Sequence, residues 1–320
     1  MPASSIWKGL LYSTLLAVSS HTGMIQAVET GPVTAAMFKA LPAPALAEVQ
    51  GREYKFLVDP TALKPAMEEA FVDLWQQVAD AAQNRGFQIT QKDKNAFKVD
   101  LSTKEYLDTP DKALWQAGYL IRLSTNYKDG KPEANTRVTV KSINRDTATV
   151  LKRQLKVTGG DRVKIEAEDT IGFQPGGKLG QYVEKGASFT VAVDSLGART
   201  LGDFVKFVPE LSQIGLPLST PLQGITAYSY RVRPGAVVLP SVGACGVSME
   251  AWSKTLGGKP YLYDYSFGYG DIDFYAETEA HAVGERFMET VFGDQLYKLQ
   301  PTDGERWGGS KVRYLMNRPL

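Results

Sequence analysis

The sequence predicts an α+β fold in which a mostly antiparallel, closed β-barrel of about eight strands forms a tunnel and helices flank it. Two observations predict this class. Short alternating segments bounded by Gly, Pro, Asn or Asp dominate the chain after residue 48. Several of these segments also carry charged side chains two residues apart, which places both charges on one face of a strand.

The first 47 residues have the pattern of a leader. The stretch "MPASSIWKGLLYSTLLAVSS" has one early positive charge at Lys8, then an apolar run and small residues, which is the layout of a secretory signal peptide. The apolar run is too short for a comfortable membrane span. We therefore expect residues 1–47 to be a signal peptide or a disordered leader. Residues 48–320 would form a single domain that is exported, periplasmic or secreted, or cytoplasmic if the leader is not a signal.

After the leader, strand-like segments outnumber helical ones. The strand-like segments are 51–58, 87–91, 95–101, 118–125, 136–143, 150–157, 162–171, 188–194, 226–233, 247–253, 261–267 and 272–279. A helix is predicted at 65–85, where apolar residues recur at helical spacing and Pro65 suits the first turn. Further helices are predicted at 200–215 and at roughly 280–292.

The composition excludes several kinds of functional site. The chain has 320 residues and a net charge of +1, so its overall charge favours neither nucleic acid nor an acidic membrane. The one cysteine, Cys245, excludes an internal disulfide and a cysteine-based zinc site. The two histidines, His21 and His281, cannot form a histidine-cluster metal site. Any metal ligands must therefore be carboxylates, and the metal a hard ion such as Mg²⁺ or Mn²⁺.

Charged side chains share strand faces in segments that lie far apart in the sequence. The sets are Glu53 and Lys55; Arg137 and Lys141; Lys164, Glu166 and Glu168; Arg231 and Arg233; Glu277 and Glu279; and Arg122 alone between Ile121 and Leu123. In a sheet open to water, each set is an ordinary solvated face. In a closed barrel, alternate residues point into a shared lumen, where a bound polyanion relieves the repulsion between basic side chains and carboxylates can hold a divalent metal.

Four segments within residues 49–171 resemble the landmarks of one known family. "EYKFLV" (53–58) resembles an opening strand with the signature Glu-x-Glu-x-Lys, and "YLDTPDKALWQAGYLIRLS" (106–124) resembles a Tyr-(Phe/Leu)-Asp-Thr-Pro turn followed by a helical turn, a Gly and an Arg-bearing strand. "TRVTVK" and "KIEAE" resemble two later strands. This family is the CYTH superfamily, the triphosphate tunnel metalloenzymes. The second half of the chain, to about residue 318, matches by pattern only.

The resemblance implies a metal-dependent hydrolase of triphosphate or polyphosphate chains, with Glu53 and Lys55 as the catalytic candidates. The implied phosphate contacts are Lys55, Arg122, Lys141, Lys164, Arg231 and Arg233. The implied ligands of Mg²⁺ or Mn²⁺ are Glu53, Glu166, Glu168, Glu277 and Glu279. The substrate would be inorganic triphosphate, polyphosphate or an organic triphosphate. We expect no nucleic-acid partner and no stable membrane span.

Two positions depart from the family pattern and keep other functions open. Gly51 stands where the signature has its first Glu, and Ser124 stands where an Arg-x-Arg pair has its second Arg. Both departures point to a non-catalytic module that binds polyphosphate or a phosphorylated ligand. A nucleotidyl cyclase of the same fold is a further alternative, although export would separate it from cytoplasmic nucleotides. The plainest alternative is a structural β-domain with solvated charges.

Overall fold

The wall of the molecule is a large sheet with helices packed on its outside. The computed structural model describes residues 49–144, 146–270 and 278–317, so the expected leader lies outside the described residues. The strands are β1 (Gly51–Val58), β2 (Ile89–Gln91), β3 (Asp100–Asp108), β4 (Tyr119–Lys128), β5 (Lys131–Pro132), β6 (Asn135–Ile143), β7 (Asp161–Gln174), β8 (Lys178–Ala192), β9 (Gln223–Val232), β10 (Gly235–Leu239), β11 (Gly243–Ser253) and β12 (Pro260–Gly270). The helices are α1 (Met67–Asn84), α2 (Ala113–Gln116), α3 (Thr147–Lys152), α4 (Leu201–Val205), α5 (Thr278–Phe287) and α6 (Lys311–Met316).

Nine of these strands close into a barrel. Their order is β12–β1–β7–β8–β6–β4–β3–β9–β11, and β11 pairs with β12 to complete the ring. Within the described ranges, β1 and β7 run parallel and the other neighbours in the ring run antiparallel. Beyond β11, β10 and β2 extend the sheet. The predicted α+β class with a mostly antiparallel closed barrel is confirmed, with nine strands in the ring.

The outer face of β1 shows why Glu53 and Lys55 point inward. Tyr54 and Phe56 are fully buried and belong to an apolar cluster that includes Phe71 and Leu74 of α1 and Phe287 of α5. Burial of each such side chain stabilises the fold by about 1.5–3 kcal/mol. Because successive side chains of a strand point to opposite faces, the residues that alternate with this pair must face the lumen.

A second apolar cluster covers the opposite side of the barrel. Ile121 of β4, Val140 of β6 and Phe189 of β8 are fully buried against Leu201 and Phe204 of α4. The same alternation therefore turns four charged residues of these three strands toward the lumen: Arg122, Arg137, Lys141 and Glu184. The usual arrangement of a β-barrel core is reversed here, with an apolar outside beneath helices and a polar inside.

The helix α1 follows its predicted pattern closely. Its buried residues Phe71, Leu74, Trp75 and Val78 recur at helical spacing, and two glutamates in its first turn suit the positive end of the helix dipole. The opposite face is exposed, so α1 is amphipathic. Among the described residues, no helix is both long and apolar enough to cross a bilayer.

Several element boundaries differ from the prediction for local reasons. The segment 150–157 was expected to be a strand, but α3 forms there because the Asp146 side chain caps it by accepting the Thr149 backbone N–H. The predicted helix 200–215 is interrupted, and Pro209 starts a separate 3₁₀ turn. Part of the predicted strand 272–279 lies outside the described residues, and residues 278 and 279 belong to α5 instead.

Candidate functional site in the barrel lumen

The barrel encloses a cavity of about 380 Å³. Its basic lining residues are Lys55, Lys104, Arg122, Arg137, Lys141, Arg231 and Lys311, and its acidic ones are Glu53, Glu166, Glu168, Glu184 and Glu250. Tyr106, Leu120, Trp252 and Val312 add apolar surface. Side chains from distant parts of the sequence therefore meet in one space, as the closed-barrel interpretation required.

Some of the lumen charges neutralise each other directly. Lys55 lies 2.8 Å from Glu53, and Lys141 lies 2.6 Å from Glu184. Burial acts to raise the pKa of Glu184, but the ammonium groups of Lys141 and Lys55 outweigh it and lower that pKa to about 2. Burial likewise acts against the charge of Glu53, and Lys55 brings its pKa below the usual value. Both carboxyl groups are therefore ionised at neutral pH.

One end of the lumen is acidic. Glu53, Glu166 and Glu168 border both the main cavity and a second cavity of about 450 Å³. Burial raises the pKa of Glu168; Lys141 opposes the rise, and the carboxylate of Glu53 adds to it. This mutual repulsion is the electrostatic environment that a divalent cation relieves.

The carboxylates at the acidic end do not form a complete metal site by themselves. No group of three or more His, Cys, Asp or Glu residues in the described part of the chain is arranged to hold a metal ion by itself. Mg²⁺ is commonly held by one or two carboxylates, with substrate phosphates and water as its other ligands. Glu166 and Glu168, with Glu53 beside them, supply oxygen donors of this kind.

Lys164 lies at the rim rather than in the main cavity. It lines the second cavity, is mostly exposed, and forms an ion pair with Glu166 two residues along β7. The sequence prediction of a shared strand face is therefore met. The side chain, however, borders the second cavity at the acidic end and does not line the main cavity.

Arg233, expected as a phosphate contact, lies outside the lumen. β9 ends at Val232, so the alternation that brings Arg231 inward does not continue to residue 233. The Arg233 guanidinium is half-exposed and forms an ion pair with Asp100. It borders a separate cavity beside β2 and β10.

Glu279, one of the two acidic residues expected from the last predicted strand, is not brought to the lumen. Glu279 lies in the first turn of α5, is exposed, and accepts a hydrogen bond from the Ser241 hydroxyl at 3.5 Å. Because residue 279 is helical, the two-residue alternation on which its shared face with Glu277 was predicted does not apply to it. Glu277 itself lies outside the described residues.

Gly51, which stands where the signature has its first Glu, lies beside the carboxylate side chain of Glu168. Gly51 pairs with Glu168 on β7 and Gly270 on β12. A Cβ atom at position 51 would lie 3.2 Å from the Tyr269 carbonyl oxygen and 3.8 Å from Cγ of Glu168. The space beside this backbone is thus already bordered by another carboxylate side chain.

The C-terminal helix α6 closes part of the lumen. Lys311 lies 2.7 Å from Asp264 and 3.1 Å from Glu250, and these carboxylates raise the pKa of Lys311 despite its burial. Burial raises the pKa of Asp264 to about 7, although Lys311 opposes the rise. The Arg313 guanidinium lies over the rings of Trp115 and Tyr182, at 5.3 and 5.4 Å.

Sequence reasoning missed several lining residues. Lys104, Glu184 and Glu250 line the cavity but were not among the expected site residues. Strand alternation could have identified Lys104, because it lies two residues before Tyr106 and shares a face of β3 with it. The predicted strand, however, ended at residue 101. Glu184 lies in the first half of β8, which begins ten residues before the predicted segment.

Comparisons with known proteins found similarity in solved structures alone. No family model and no curated protein matches the chain. One similar structure is the candidate adenylyl cyclase HpAC1 of Hippeastrum, described as having a dominant triphosphatase activity, with 12% identity, a TM-score of 0.41, and coverage of 85% of this chain and 97% of that one. Another is a candidate adenylate cyclase of Bacillus halodurans, with 13% identity, a TM-score of 0.37, and coverage of 75% and 90%. A third is the PH1819 protein of Pyrococcus horikoshii, with 8% identity, a TM-score of 0.30, and coverage of 74% and 89%.

The fold itself is clear from the strand order and the lumen of this chain. Nine strands close around a cavity lined by side chains of both charges, and the signature-like strand β1 contributes Glu53 and Lys55 to that cavity. The chain therefore has a mostly antiparallel β-barrel that closes around a charged lumen, as the sequence pattern predicted.

Proposed function

We propose that this protein is a metal-dependent hydrolase of triphosphate or polyphosphate chains. The observation that best supports this proposal is the convergence of seven basic side chains, from five strands and α6, on one cavity of about 380 Å³. A triphosphate carries roughly three to four negative charges near neutral pH. Because Lys55, Lys141, Arg231 and Lys311 already have carboxylate partners, the cations left for the charge of a ligand are Lys104, Arg122 and Arg137.

The charge distribution gives each end of the lumen a role. The basic side chains bind and orient the phosphate chain through charge-assisted hydrogen bonds. Lys55 lies beside Glu53 at the acidic end, where it would stabilise negative charge on the phosphoryl group that is transferred to water. A Mg²⁺ or Mn²⁺ ion held there by Glu166 and Glu168, with Glu53, would supply a Lewis acid when bound.

The test compares two arginines that are two residues apart in sequence. Arg231 lines the lumen, whereas Arg233 forms a surface ion pair. Phosphate release from inorganic triphosphate would be measured with Mg²⁺ and with Mn²⁺. Because Arg231→Ala removes hydrogen bonds to a charged ligand, we expect a loss of about 10- to 100-fold in kcat/KM. Arg233→Ala, with the same change in charge, should stay within about twofold.

Two further measurements make this result interpretable. Thermal unfolding of each variant shows whether the protein remains folded, and Arg231→Lys, which keeps the charge, should retain part of the activity. Equal activity of Arg231→Ala and wild type would contradict the proposal. So would the absence of phosphate release from inorganic triphosphate, longer polyphosphate and nucleoside triphosphates with both metals.

A non-catalytic binding module is the second candidate, because Gly51 removes one carboxylate and the described residues hold no complete three-ligand metal group. It predicts calorimetric binding of inorganic triphosphate that persists when metal is chelated, without phosphate release. Turnover by the purified protein would exclude this candidate.

A further inference from the structure

Three basic side chains form a row across one wall of the lumen. Each donates a hydrogen bond to a hydroxyl group on the next strand: Lys104 to Ser124, Arg122 to Thr139, and Arg137 to Ser188. The row therefore crosses β3, β4, β6 and β8 in order. A hydroxyl oxygen accepts a hydrogen bond but carries no charge, so the positive charge of this wall is not neutralised.

The other lumen cations have carboxylate partners. Lys55 pairs with Glu53, Lys141 with Glu184, and Lys311 with Asp264. In the part of the chain that the structure describes, Lys104, Arg122 and Arg137 have no ion pair within 4.0 Å. The buried Nε of Arg122 also has no hydrogen-bond partner there. The wall of β3, β4 and β6 is thus the part of the lumen that most needs an anion.

Lys104 lies among several other charged side chains. It lies opposite Ser124 on β4 and Ala227 on β9, and its Nζ is 3.0 Å from the Ser124 hydroxyl. The charged groups around it are Arg122 on β4, Arg231 on β9, Glu250 on β11 and Lys311 on α6. Three of these four neighbours are cations, so an ammonium at this position is repelled more than it is attracted.

Burial, followed by repulsion from Arg122, lowers the pKa of Lys104 to about 7, although Glu250 opposes the change. In the empty lumen at pH 7, about half of the molecules therefore carry a neutral amine at this position. An anion placed beside the amine would favour its protonated form, because opposite charges within about 4–6 Å stabilise the charged state.

We propose that Lys104 contacts the bound phosphate chain and takes up a proton from the solvent as the chain binds. This inference rests on the proposed function in so far as the ligand is a phosphate chain. An ammonium has three hydrogen-bond donors, and the Ser124 hydroxyl uses one of them. Two donors remain for phosphate oxygens, and Ser124 holds the nitrogen in place from the neighbouring strand.

The direct test measures proton uptake on binding. Inorganic triphosphate is titrated calorimetrically into wild type and Lys104→Arg at pH 7 with EDTA, in two buffers of different ionisation enthalpy. The arginine variant keeps the charge but is always protonated. Because the titration of triphosphate itself is common to both proteins, it cancels in the comparison. We expect wild type to take up about 0.5 proton more for each triphosphate bound. Equal proton uptake by the two proteins would overturn the proposal.

A second test transfers the ammonium group from position 104 on β3 to the opposite position 124 on β4. Lys104→Ser should weaken triphosphate binding by about 10-fold or more, because a hydrogen-bonded charge contact is lost. The double variant Lys104→Ser/Ser124→Lys returns an ammonium to the same place from β4, and binding should recover to within about threefold of wild type. Lys98→Ser, an exposed lysine, is the matched control and should leave binding unchanged. If both variants are folded and the double variant does not regain triphosphate binding, the proposed charged contact at this position would be contradicted.

The stability of the ligand-free protein separates this role from a structural one. Since Lys104 is repelled by its neighbours, Lys104→Ser should not lower the unfolding temperature of the empty protein, but it should reduce the rise that triphosphate causes. Absence of triphosphate binding by wild type, with and without Mg²⁺, would overturn the proposed function and this inference together. Binding by wild type that Lys104→Ser leaves unchanged would overturn this inference alone.

Discussion

Lys311 shows how a single residue can hold the lumen together before any ligand binds. Its ammonium is mostly buried and lies within 3.1 Å of two carboxylates, Glu250 and Asp264, which come from different strands. Trp252 Nε1 donates to Glu250 as well, at 3.0 Å. Removing one partner of such a group leaves uncompensated charge in a buried place, which costs more than the group contributes when complete.

Lys311→Met should therefore lower the free energy of unfolding by about 3 kcal/mol or more, because the ionised Glu250 would remain buried without this cation. Urea denaturation at pH 7 measures this loss. The exposed Lys298 provides the control, and Lys298→Met should stay within about 0.5 kcal/mol of wild type. Adding Glu250→Gln to Lys311→Met should recover part of the loss, since the buried charge is removed. An unchanged free energy of unfolding in Lys311→Met would show that the group is not a stabilising one.

At the residue scale, strand alternation predicted the lumen well where the strand was continuous. Glu53, Lys55 and Arg122 line the cavity because each lies on an uninterrupted strand with apolar neighbours on its other face. Arg233 does not, because β9 ends one residue before it. Alternation cannot show where a strand ends, since the end depends on which neighbour is available for hydrogen bonding.

At the element scale, the turn between β3 and β4 positions the basic wall. The Asp108 carboxylate is buried and accepts backbone N–H groups of Thr109, Leu114 and Trp115, at 2.8, 2.9 and 3.3 Å. These bonds tie the end of β3 to α2, which leads directly into β4 and Arg122. The Asp-Thr-Pro segment thus fixes the start of the strand that carries Arg122.

Asp108→Ala should lower the free energy of unfolding by about 3 kcal/mol, because three backbone donors lose an ionised acceptor. The exposed Asp111 lies in the same turn, and Asp111→Ala should change the free energy by less than about 0.5 kcal/mol. Urea denaturation of both variants makes the comparison. Similar losses in the two variants would mean that the carboxylate of Asp108 has no special role in the turn.

The elements that the sequence predicted less well share one cause. Residues 150–157 have β-branched character, yet Val150 and Leu151 lie in α3, packed with Val183 of β8. The predicted strand at 95–101 starts too early and stops before most of β3. In both cases, caps and contacts with distant strands outweigh the local pattern, and neither can be seen in a short window of sequence.

At the scale of the whole molecule, the barrel concentrates positive charge on one wall of its lumen. Apolar clusters on the outside hold the wall together, and this stabilisation permits a polar lumen in which three cations lack carboxylate partners among the described residues. A ligand that binds this state and not the unfolded chain must stabilise the protein.

Inorganic triphosphate at about 100 times its dissociation constant should raise the stability by about 2.7 kcal/mol, which corresponds to a rise of roughly 5–10 °C in Tm. Differential scanning fluorimetry can measure this shift. Orthophosphate at the same ionic strength is the control, and it should produce less than half of the effect because it bridges fewer cations. The shift should also decrease as NaCl is added, since salt screens the partly open lumen. Equal shifts with both anions would argue against a site built for a phosphate chain.

Alternation follows from the covalent geometry of an extended chain, so the amino-acid pattern alone was enough to predict which side chains share a strand face. The composition likewise excluded a cysteine-based zinc site and a histidine-cluster metal site. Which strands became neighbours, and therefore which charges met, depended on the folded barrel: Lys141 with Glu184, Lys311 with Asp264, and Lys104 with the uncharged Ser124. These pairings depend on strand register and barrel closure, which are set by the packing of apolar faces across the whole chain and not by any local pattern.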